Sequence, residues 1–406
     1  MEVLAETLEE RGVRLVLGEN YLDSIDDDYI FRSPGIRPDK GSLSDAVANG
    51  AVLTSEMELF FEICPCKIIG ITGSDGKTTT TTLISEILRE SGKKVWLGGN
   101  IGRPLLPDAD KMKEDDICVV ELSSFQLMTM TRSPERAVVT NISPNHLDYH
   151  KDINEYIDAK KNIYRNPGNV LLVTNASNPH TALMAEEHKG ENLLFSSKAD
   201  ADVCIADGVI RLKGEPVLKI SDIRLPGVHN VENYMAAIAA TRGLADIKAI
   251  QKVAKTFGGV EHRLEFIREL RGVKYYNSSI DSTPTRTIAA LGAFTGRSLI
   301  VLCGGYDKNL DYAPLAPELA KKAKAVVLSG KCAPKIKAAL DGCELIKTNG
   351  TKIYEIPDLL AAASFVPTIA ERGDTVLLSP AAASFDAFKN FEERGRAFKQ
   401  IIKGLK

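Results

Sequence analysis

The residues that most clearly suggest chemistry form a glycine-rich turn directly after an apolar run at residues 68–71. The turn consists of Gly73, Ser74, Asp75, Gly76, Lys77, Thr78 and Thr79. An apolar run, a tight turn and an amphipathic segment to about residue 91 predict a strand, a loop and a helix. The glycines let backbone N–H groups approach phosphate oxygens, and the helix N-terminus adds a partial positive charge. The sequence therefore predicts an ATP-binding loop.

Two side chains of this turn and one acidic residue further along are candidates for handling phosphate and Mg²⁺. Lys77 supplies a cation for the β- and γ-phosphates, and the Thr78 hydroxyl is placed to ligate Mg²⁺. Glu121 follows a buried apolar run, at the point where a nucleotide-binding sheet holds its Mg²⁺. Two simpler interpretations stay open. The predicted ATP-binding loop could be a simple turn with a surface lysine, since Ile71 replaces the first glycine of the usual P-loop. Glu121 could be a solvated carboxylate and not a Mg²⁺ ligand.

A second polar loop follows the apolar run at residues 137–140. It contains His146, Asp148 and His150, residue types that suit a metal or a polar substrate. A lone histidine is more often structural, and that alternative applies to His150.

Two polar pairs lie on predicted helices. Lys160 and Lys161 are adjacent on a helix predicted over residues 153–164, and from the spacing alone such a pair lies on a solvent-exposed face. Asn230 and Asn233 are three residues apart, on one face of the first turn of an alanine-rich helix. The two asparagines either hydrogen-bond the edge of a purine or cap that helix.

Three polar loops in the last third of the chain each follow an apolar run typical of a strand. They cover residues 277–283, 304–309 and 379–386. Ligands of open α/β sheets bind beyond the carboxyl ends of the strands, so we predict that these loops form one cleft.

Strand-like runs alternate with helical segments along most of the chain, which predicts an α/β fold with doubly wound, mostly parallel sheets. We predict three domains. Residues 1–66 form a partial Rossmann-like domain, residues 67–259 a central ATPase domain of the P-loop type, and residues 260–406 a Rossmann-like C-terminal domain.

The N-terminal domain is predicted from a helix over residues 3–11 and strands over residues 13–18 and 29–32. Two strands make a thin sheet for an independent domain. Because the chain opens on a helix without a preceding strand, we predict that the first βα unit of this domain is absent.

The composition narrows the class of protein. The chain has 406 residues with 51 basic and 54 acidic side chains, a balance that argues against a nucleic-acid partner. No apolar run approaches the roughly 18 residues of a membrane helix, and no signal-peptide pattern is visible. We therefore predict a cytoplasmic protein without a membrane partner. Seven scattered cysteines fit this compartment as reduced, structural residues; Cys64 and Cys66 form the only close pair, without a second pair for a zinc site.

Four motifs occur in the order seen in the Mur ligase family, whose members build the peptide stem of peptidoglycan. They are residues 72–78, residues 121–124, residues 146–148 and the sequence His229-Asn230-x-x-Asn233. A longer stretch at residues 378–395 resembles the branch of the family that adds D-glutamate. The resemblance covers nearly the whole chain. Since the family starts with a strand and a glycine-rich loop that bind uridine diphosphate, it also implies that the first part of the UDP-binding domain is missing here.

The resemblance implies an ATP-dependent amide ligase that adds D-glutamate to UDP-N-acetylmuramoyl-L-alanine through an acyl phosphate, releasing ADP and phosphate. Such a reaction needs neutralisation of phosphate charge more than covalent help from the protein. The family pattern implies two Mg²⁺ ions, with a carbamate on Lys160 supporting the second and His146 helping to hold it. This replaces the solvent-exposed interpretation of Lys160. We predict a monomer.

The remaining site residues are also implied by the resemblance. Asn230, Asn233 and Arg263 match nucleotide contacts, and Asn100 and Ser123 match contacts to the muramoyl-alanine part of the substrate. The residues that match the D-glutamate site are Lys308, Ser384, Phe385 and Phe391.

The loop at residues 277–283 departs from the family pattern, because Ser278 stands where an aspartate is common. Ser282 nevertheless occupies the substrate-facing position of that loop. In the loop at residues 304–309, Lys308 is retained while the aspartate is shifted by one place.

Two other functions remain open. One is a related amino acid ligase of the Mur or folylpolyglutamate type, against which the stretch at residues 378–395 argues. The other is a nucleotide-binding module that is inactive through loss of the N-terminal unit.

Overall fold

The structure is a computed structural model that describes residues 7–23, 25–147, 149–225 and 227–406. Its contacts divide the chain into two compact units, Met1–Phe257 and Gly258–Lys406. Both units are mixed α/β structures with mostly parallel sheets, which confirms the predicted fold class at that level.

Among its described residues, the first unit contains a two-stranded sheet and a nine-stranded sheet. The small sheet pairs β1 (Tyr29–Phe31) with β2 (Val52–Thr54) in parallel. The strands of the large sheet are β3 (Lys67–Thr72), β4 (Val95–Gly99), β5 (Ile117–Glu121), β6 (Arg136–Val139), β7 (Leu171–Asn175), β8 (Asn192–Phe195), β9 (Val203–Ala206), β10 (Val209–Leu212) and β11 (Glu215–Lys219). Their order is β11-β10-β9-β8-β7-β6-β3-β5-β4, and the pairs β9–β10 and β10–β11 are antiparallel.

Helices pack on both faces of the large sheet. The helices of this unit are Leu43–Ala48, Glu56–Ile63, Lys77–Glu90, Ser124–Leu127, Ile153–Arg165, Pro179–Glu187, Val228–Ala240 and Ile247–Thr256, with 3₁₀ turns at Leu106–Lys111 and Ile220–Asp222. Successive strand residues point to opposite faces, so Ile69 joins one buried cluster with Tyr234 while Ile68 joins another with Tyr156. Burial on both faces explains why the central strands are continuous apolar runs in the sequence.

The central strand β3 determines where a ligand can bind. It pairs with β5 on one side and β6 on the other, both in parallel. From β3 the chain forms β4 and β5 on one side and then β6 onward on the other. The C-terminal end of β3 is therefore a switch point of the sheet, where ligands of α/β proteins bind. The predicted strand, turn and helix are confirmed there.

The second unit has a six-stranded sheet in the part of the chain that the structure describes. Its strands are β12 (Glu265–Leu270), β13 (Val273–Asn277), β14 (Leu299–Gly304), β15 (Ala323–Ser329), β16 (Lys352–Glu355) and β17 (Thr375–Leu378). Its helices are Pro284–Leu291, Leu315–Lys322, Ala333–Asp341, Glu344–Asn349, Leu359–Phe365 and Phe391–Gly404, with a 3₁₀ turn at Val366–Thr368. The order is β12-β13-β17-β14-β15-β16, and only β12 runs antiparallel to its neighbour.

The N-terminal region and the sheet edges depart from the sequence prediction. Residues 13–18, all of them described, form no strand, so that prediction was wrong; Val16 and Leu17 are exposed and no described strand pairs with them. Of the helix predicted over residues 3–11, residues 7–10 are helical and residues 1–6 lie outside the described part. The strands β2, β8, β12 and β16 were not predicted, because they are short or carry the charged residues typical of sheet edges.

The domain boundaries relate to these units in different ways. The boundary predicted at residue 259 lies close to the division between the units, and the one at residue 66 falls between the small and the large sheet. Among the described residues, no helix combines the length and the apolar character that crossing a bilayer requires.

Candidate functional site

The loop after β3 depends on two glycines that other residues cannot replace without strain. Gly73 and Gly76 have φ values of 143° and 79°, a region that residues with a side chain rarely adopt. A Cβ atom at Gly73 would lie 2.0 Å from Thr140 Oγ1, and one at Gly76 would lie 2.4 Å from Asn233 Oδ1. The glycines therefore let the loop lie directly against the residue after β6 and against the helix Val228–Ala240.

Side chains around the loop fix its path. Ser74 Oγ shares a hydrogen bond of 2.9 Å with the hydroxyl of Tyr156. The backbone N–H of Asp75 donates to Asn141 Oδ1 at 2.9 Å. The first N–H groups of an α-helix have no acceptor within the helix, so the start of Lys77–Glu90 is suited to bind an anion.

The side chain of Lys77 folds back over the phosphate loop that precedes it. Its Nζ donates to the carbonyls of Gly73 and Ser74, both at 2.9 Å. In the same first helical turn, Thr78 is buried and Thr79 is partly exposed. The ammonium group and the helix N-terminus therefore lie at the same loop, as the binding of a polyphosphate requires.

Glu121 is the last residue of β5 and is only 2% exposed. Its Oε1 accepts from Asn100 Nδ2 at 2.8 Å, and the Asn100 N–H donates to the Glu121 carbonyl at 2.8 Å. Its Oε2 is buried without a hydrogen-bond partner among the described residues. A buried carboxylate oxygen without a partner is unfavourable unless a cation approaches it. The solvated interpretation of Glu121 is therefore wrong, and the oxygen suits a hard cation such as Mg²⁺.

Lys160 is 1% exposed, so the solvent-exposed face that its spacing suggested is wrong. Its Nζ donates to Thr72 Oγ1 at 3.1 Å and to the Gly73 carbonyl at 3.0 Å, and lies 4.7 Å from the centre of the Tyr156 ring. Burial holds the pKa of this amine well below its ordinary range, and the charge of Lys77 lowers it further. Lys161, by contrast, forms an ion pair with Glu187.

The two histidines of the following loop differ in their surroundings. His146 is exposed, has a φ of 54°, and its ring centre lies 5.0 Å from that of Phe125. His150 is buried, its Nε2 lies 2.9 Å from Ser124 Oγ, and burial lowers its pKa. The structural alternative for His150 therefore fits its position. Asp148 lies outside the described residues.

The asparagine pair lies beside the phosphate loop. Asn233 Nδ2 donates to Asn230 Oδ1 at 3.3 Å, and Asn233 Oδ1 accepts from Thr80 Oγ1 at 3.2 Å. Neither asparagine is the cap of the helix Val228–Ala240, because that position belongs to Gly227.

Ser123 follows β5 and caps the short helix Ser124–Leu127 through a reciprocal pair of hydrogen bonds with Gln126.

In the second unit, the three predicted polar loops lie together because β13, β17 and β14 are neighbours. Ser379 Oγ donates to Asp281 Oδ2 at 2.7 Å, which joins the first loop to the third. The Tyr306 N–H donates to the Ala383 carbonyl at 2.8 Å, which joins the second to the third. Burial raises the pKa of Asp281 to about 6. The three loops therefore lie together, while their forming one cleft stays a prediction.

The residues implied for amino acid binding lie on these loops or next to them. Lys308 is exposed, and its Nζ lies 5.8 Å from the ring centre of Phe385, which is 61% exposed. Ser384 is buried, and Phe391 begins the last helix with its carbonyl accepting from Ser279 Oγ at 2.8 Å.

Two further predicted site residues belong to the second unit. Arg263 is exposed and lies close enough to Asp281 to lower the pKa of that carboxyl against the effect of burial. Ser282 is partly exposed, and its N–H donates to the Ile280 carbonyl at 2.8 Å.

Arg394 is a positioning residue that the sequence prediction missed. It is 2% exposed and donates to the carbonyls of Ala382, Ala383 and Ser279 at 2.8–3.0 Å, and to Ser279 Oγ at 3.0 Å. Burial lowers its pKa to about 10. The signal was a charged residue on the apolar face of an amphipathic helix, four residues before Phe398.

Comparison with known proteins identifies the family. The UDP-N-acetylmuramoylalanine–D-glutamate ligase of Clostridium perfringens is 48% identical, over 99% of this chain and 88% of its own length. The enzyme of the same name from Acetivibrio thermocellus is 49% identical, over 99% of this chain and 89% of its own length. This chain belongs to the Mur ligase family. Models of the Mur ligase middle domain and of the Mur ligase, glutamate ligase domain match residues 71–241 and 262–382.

Solved structures of Mur ligases share the fold. The UDP-N-acetylmuramate–alanine ligase of Thermotoga maritima has a TM-score of 0.60 with 20% identity, covering 99% of this chain and 91% of that one. The MurF ligase of the same organism, solved in complex with ADP, has a TM-score of 0.55 with 16% identity, covering 93% and 98%. At these identities the likeness concerns the fold alone.

The comparisons confirm one prediction and correct another. A ligase of peptidoglycan synthesis from the D-glutamate-adding branch is confirmed by the relatives' names and by the domains. The predicted loss of the first part of the N-terminal domain was wrong: relatives match 99% of this chain over 88% of their own length, and this match shows no such loss. The prediction rested on a count of strands, which does not measure the extent of a domain.

Replacement of Gly76 by alanine should weaken nucleotide binding, because a Cβ there meets Asn233 Oδ1 at 2.4 Å and displaces either the loop or the Asn233 side chain. We expect at least a tenfold weaker affinity for Mg²⁺-ATP by isothermal titration calorimetry. Gly92→Ala is the matched control: its φ is 78°, and no described atom lies within 4 Å of a Cβ there. Both variants bear the backbone strain of roughly 1 kcal/mol. Equal losses of affinity in the two would contradict this account of the loop.

Replacement of Arg394 by alanine should lower the free energy of unfolding by roughly 2–4 kcal/mol, because the buried carbonyls of Ala382 and Ser279 lose their donor and that of Ala383 loses one of two. Urea denaturation measures this change. Arg396→Ala, an exposed position on the same helix, should stay within about 0.5 kcal/mol of the wild type. If both variants unfold at the same urea concentration as the wild type, Arg394 does not hold the loops.

Proposed function

We propose that this chain joins D-glutamate to UDP-N-acetylmuramoyl-L-alanine with the conversion of ATP to ADP and phosphate. The observation that carries the proposal is the identity of 48% with D-glutamate ligases over 99% of the chain. The use of ATP is supported by the phosphate loop, by Lys77, and by the buried Glu121 oxygen that has no hydrogen-bond partner among the described residues. The module interpretation loses its basis, because it rested on the loss of the N-terminal unit.

We propose that the reaction begins with transfer of the γ-phosphoryl group of ATP to the terminal carboxylate of the muramoyl-alanine substrate. The acyl phosphate that results is attacked by the amine of D-glutamate, and phosphate leaves. Lys77 and the N-terminus of its helix hold the phosphate oxygens and stabilise their charge. Asn100 fixes the Glu121 carboxylate, while Asn100 and Ser123 contact the muramoyl-alanine part.

Two Mg²⁺ ions are part of the proposal. Thr78 and Glu121 supply hydroxyl and carboxylate oxygens, which are the donors that Mg²⁺ prefers. His146 and a carbamate on Lys160 would support the second ion. When bound, the ions neutralise the negative charge of the phosphates during transfer.

The surroundings of Lys160 support the carbamate. Only a neutral amine attacks CO₂, and burial lowers the pKa of Lys160 toward that neutral form. The new group carries a negative charge, which the nearby ammonium of Lys77 stabilises.

Contacts to the other substrates follow the same proposal. Asn230, Asn233 and Arg263 contact the nucleotide, and the position of the two asparagines beside Gly76 supports this assignment. Lys308 pairs with a carboxylate of D-glutamate, while Ser384, Phe385 and Phe391 frame it. Ser282 faces the substrate.

The organisation proposed with this function has three domains, at residues 1–66, 67–259 and 260–406. The first two resemble Rossmann-like and P-loop folds, and the third is again Rossmann-like. We propose a cytoplasmic monomer that acts on small molecules and binds neither nucleic acid nor membrane.

Lys160→Ala should reduce ligase activity by at least a hundredfold, and formate or acetate should restore part of it by supplying a carboxylate near the carbamate position. Phosphate release from ATP with both substrates measures the activity, with Lys161→Ala as the matched control on the same helix. Lys161 pairs with Glu187, so its loss should leave activity within about twofold of the wild type. Loss of activity in Lys160→Ala without any rescue argues against the carbamate.

The acceptor specificity is tested by phosphate release from ATP in the presence of UDP-N-acetylmuramoyl-L-alanine. D-glutamate, L-glutamate, L-alanine and diaminopimelate are compared with a sample lacking an amino acid. We expect release with D-glutamate alone, and none from the Lys77→Ala variant. Phosphate release with L-glutamate, L-alanine or diaminopimelate would contradict the proposed function. An absence of release in every sample would contradict it as well.

A further inference from the structure

Three cysteine side chains meet at a place that the ligase chemistry does not use. The Sγ atom of Cys66 lies 3.4 Å from that of Cys64 and 3.2 Å from that of Cys118, and the third distance is 3.6 Å. Cys64 is the C-cap of the helix Glu56–Ile63, Cys66 precedes β3, and Cys118 is the second residue of β5. The sequence offered only the pair Cys64 and Cys66. The fold adds a third sulfur from more than fifty residues away.

The cysteine cluster (Cys64, Cys66 and Cys118) is separate from the phosphate loop. It lies at the N-terminal ends of β3 and β5, which run in parallel with Ile68 opposite Cys118. The phosphate loop follows the other end of β3. Six strand residues span roughly 20 Å, so nothing bound at the loop contacts the cluster.

The donors at this place are sulfur atoms. Met112 adds a thioether, with its Sδ 3.6 Å from Cys118 Sγ. Among the described residues, no histidine or carboxylate belongs to the group of three. Asp116, two residues before Cys118, is engaged with Trp96 Nε1 at 2.8 Å and Lys94 Nζ at 3.0 Å.

This donor set selects the kind of ion. Thiolate and thioether ligands favour soft cations such as Cu(I), whereas Mg²⁺ and Ca²⁺ prefer oxygen. Structural Zn²⁺ sites use four cysteine or histidine ligands, and the described cluster offers three thiols. A trigonal ion with metal–sulfur distances of about 2.3 Å separates its sulfurs by about 4 Å. Small outward movements of the three side chains reach that geometry.

Burial favours retention of such an ion. Cys66 and Cys118 are buried in an apolar cluster with Phe60 and Met112, while Cys64 is partly exposed. The partly exposed thiol gives access from solvent, and the apolar surroundings keep water and oxygen ligands away. We propose that Cys64, Cys66 and Cys118 bind one soft monovalent cation, Cu(I), at a site distinct from the ligase centre. Binding of one Cu(I) to the three thiolates releases three thiol protons to solvent, so the loaded site carries a net charge of −2, and no oxidation state changes.

The test is a competition for Cu(I) under anaerobic, reducing conditions. Full-length protein is titrated into the coloured Cu(I)–bicinchoninate complex, and the loss of colour gives the number of ions withdrawn per chain. We expect about one ion per chain for the wild type and at least a tenfold weaker withdrawal for Cys66→Ala and Cys64→Ala. Cys343→Ala is the matched control, because Cys343 is also partly exposed and belongs to no cluster among the described residues.

Cys64→Ala keeps the test decisive if the buried Cys66→Ala variant does not fold, since Cys64 lies partly at the surface. X-ray absorption of the loaded wild type should show sulfur as the coordinating element. The proposal is overturned if both cluster variants withdraw Cu(I) as the wild type does, or if Cys343→Ala loses as much as they do. It is also overturned if the reduced wild type withdraws no Cu(I), as would follow if the cysteines served only to form a disulfide.

Discussion

The burial of the Lys160 amine against the end of β3 is the contact on which the arrangement of the site depends. An ammonium removed from water is unfavourable by several kcal/mol unless dipoles and charges replace the water. Here the Gly73 carbonyl, the Thr72 hydroxyl and the Tyr156 ring surround it, and the Glu121 charge lies near enough to act on it. The two hydrogen-bond acceptors lie at the end of β3, so a shift of the helix Ile153–Arg165 against β3 would leave the buried amine without them. The chemistry at Lys160 therefore depends on how the helix Ile153–Arg165 packs against the C-terminal end of β3.

The phosphate loop, which follows β3, is likewise held by contacts with neighbouring elements. Gly73 and Gly76 approach Thr140 and Asn233 so closely that no side chain fits at either position. Hydrogen bonds from two other elements also fix the loop backbone. The Tyr156 hydroxyl bonds Ser74, and Asn141 accepts from the Asp75 N–H. A loop held in this way places the N-terminus of the helix Lys77–Glu90 without having to be ordered by the ligand, which lowers the entropy cost of binding. The rigidity of the loop thus comes from side chains of later elements and not from the glycine motif itself.

The sequence predicts those parts of the fold in which local pattern and burial agree. The strands β3, β5, β6 and β7 are mostly apolar because they are covered on both faces, and each was recognised. Residues 13–18 have a similar pattern but find no partner strand among the described residues, which no local pattern reveals. The burial of Lys160 could have been predicted from the helical period. The buried face of the helix consists of Tyr156, Lys160, Ile163 and Tyr164, and it does not include Lys161. The position of Cys118 beside Cys64 and Cys66 depends on the pairing of β3 with β5, so it follows from tertiary structure alone.

The two ends of β3 carry donors of opposite chemical character, and this separation has a consequence for metal specificity. At the C-terminal end the proposed ligands are the oxygens of Thr78 and Glu121, which favour small, hard cations, together with His146 and the carbamate on Lys160. At the N-terminal end the donors are three thiols and a thioether, which favour soft ions and offer nothing to Mg²⁺. A soft ion is therefore expected to prefer the thiol site to the oxygen ligands at the catalytic end. Because the strand between them is rigid and spans roughly 20 Å, the two sites can be occupied independently, each by the ion that its donors select.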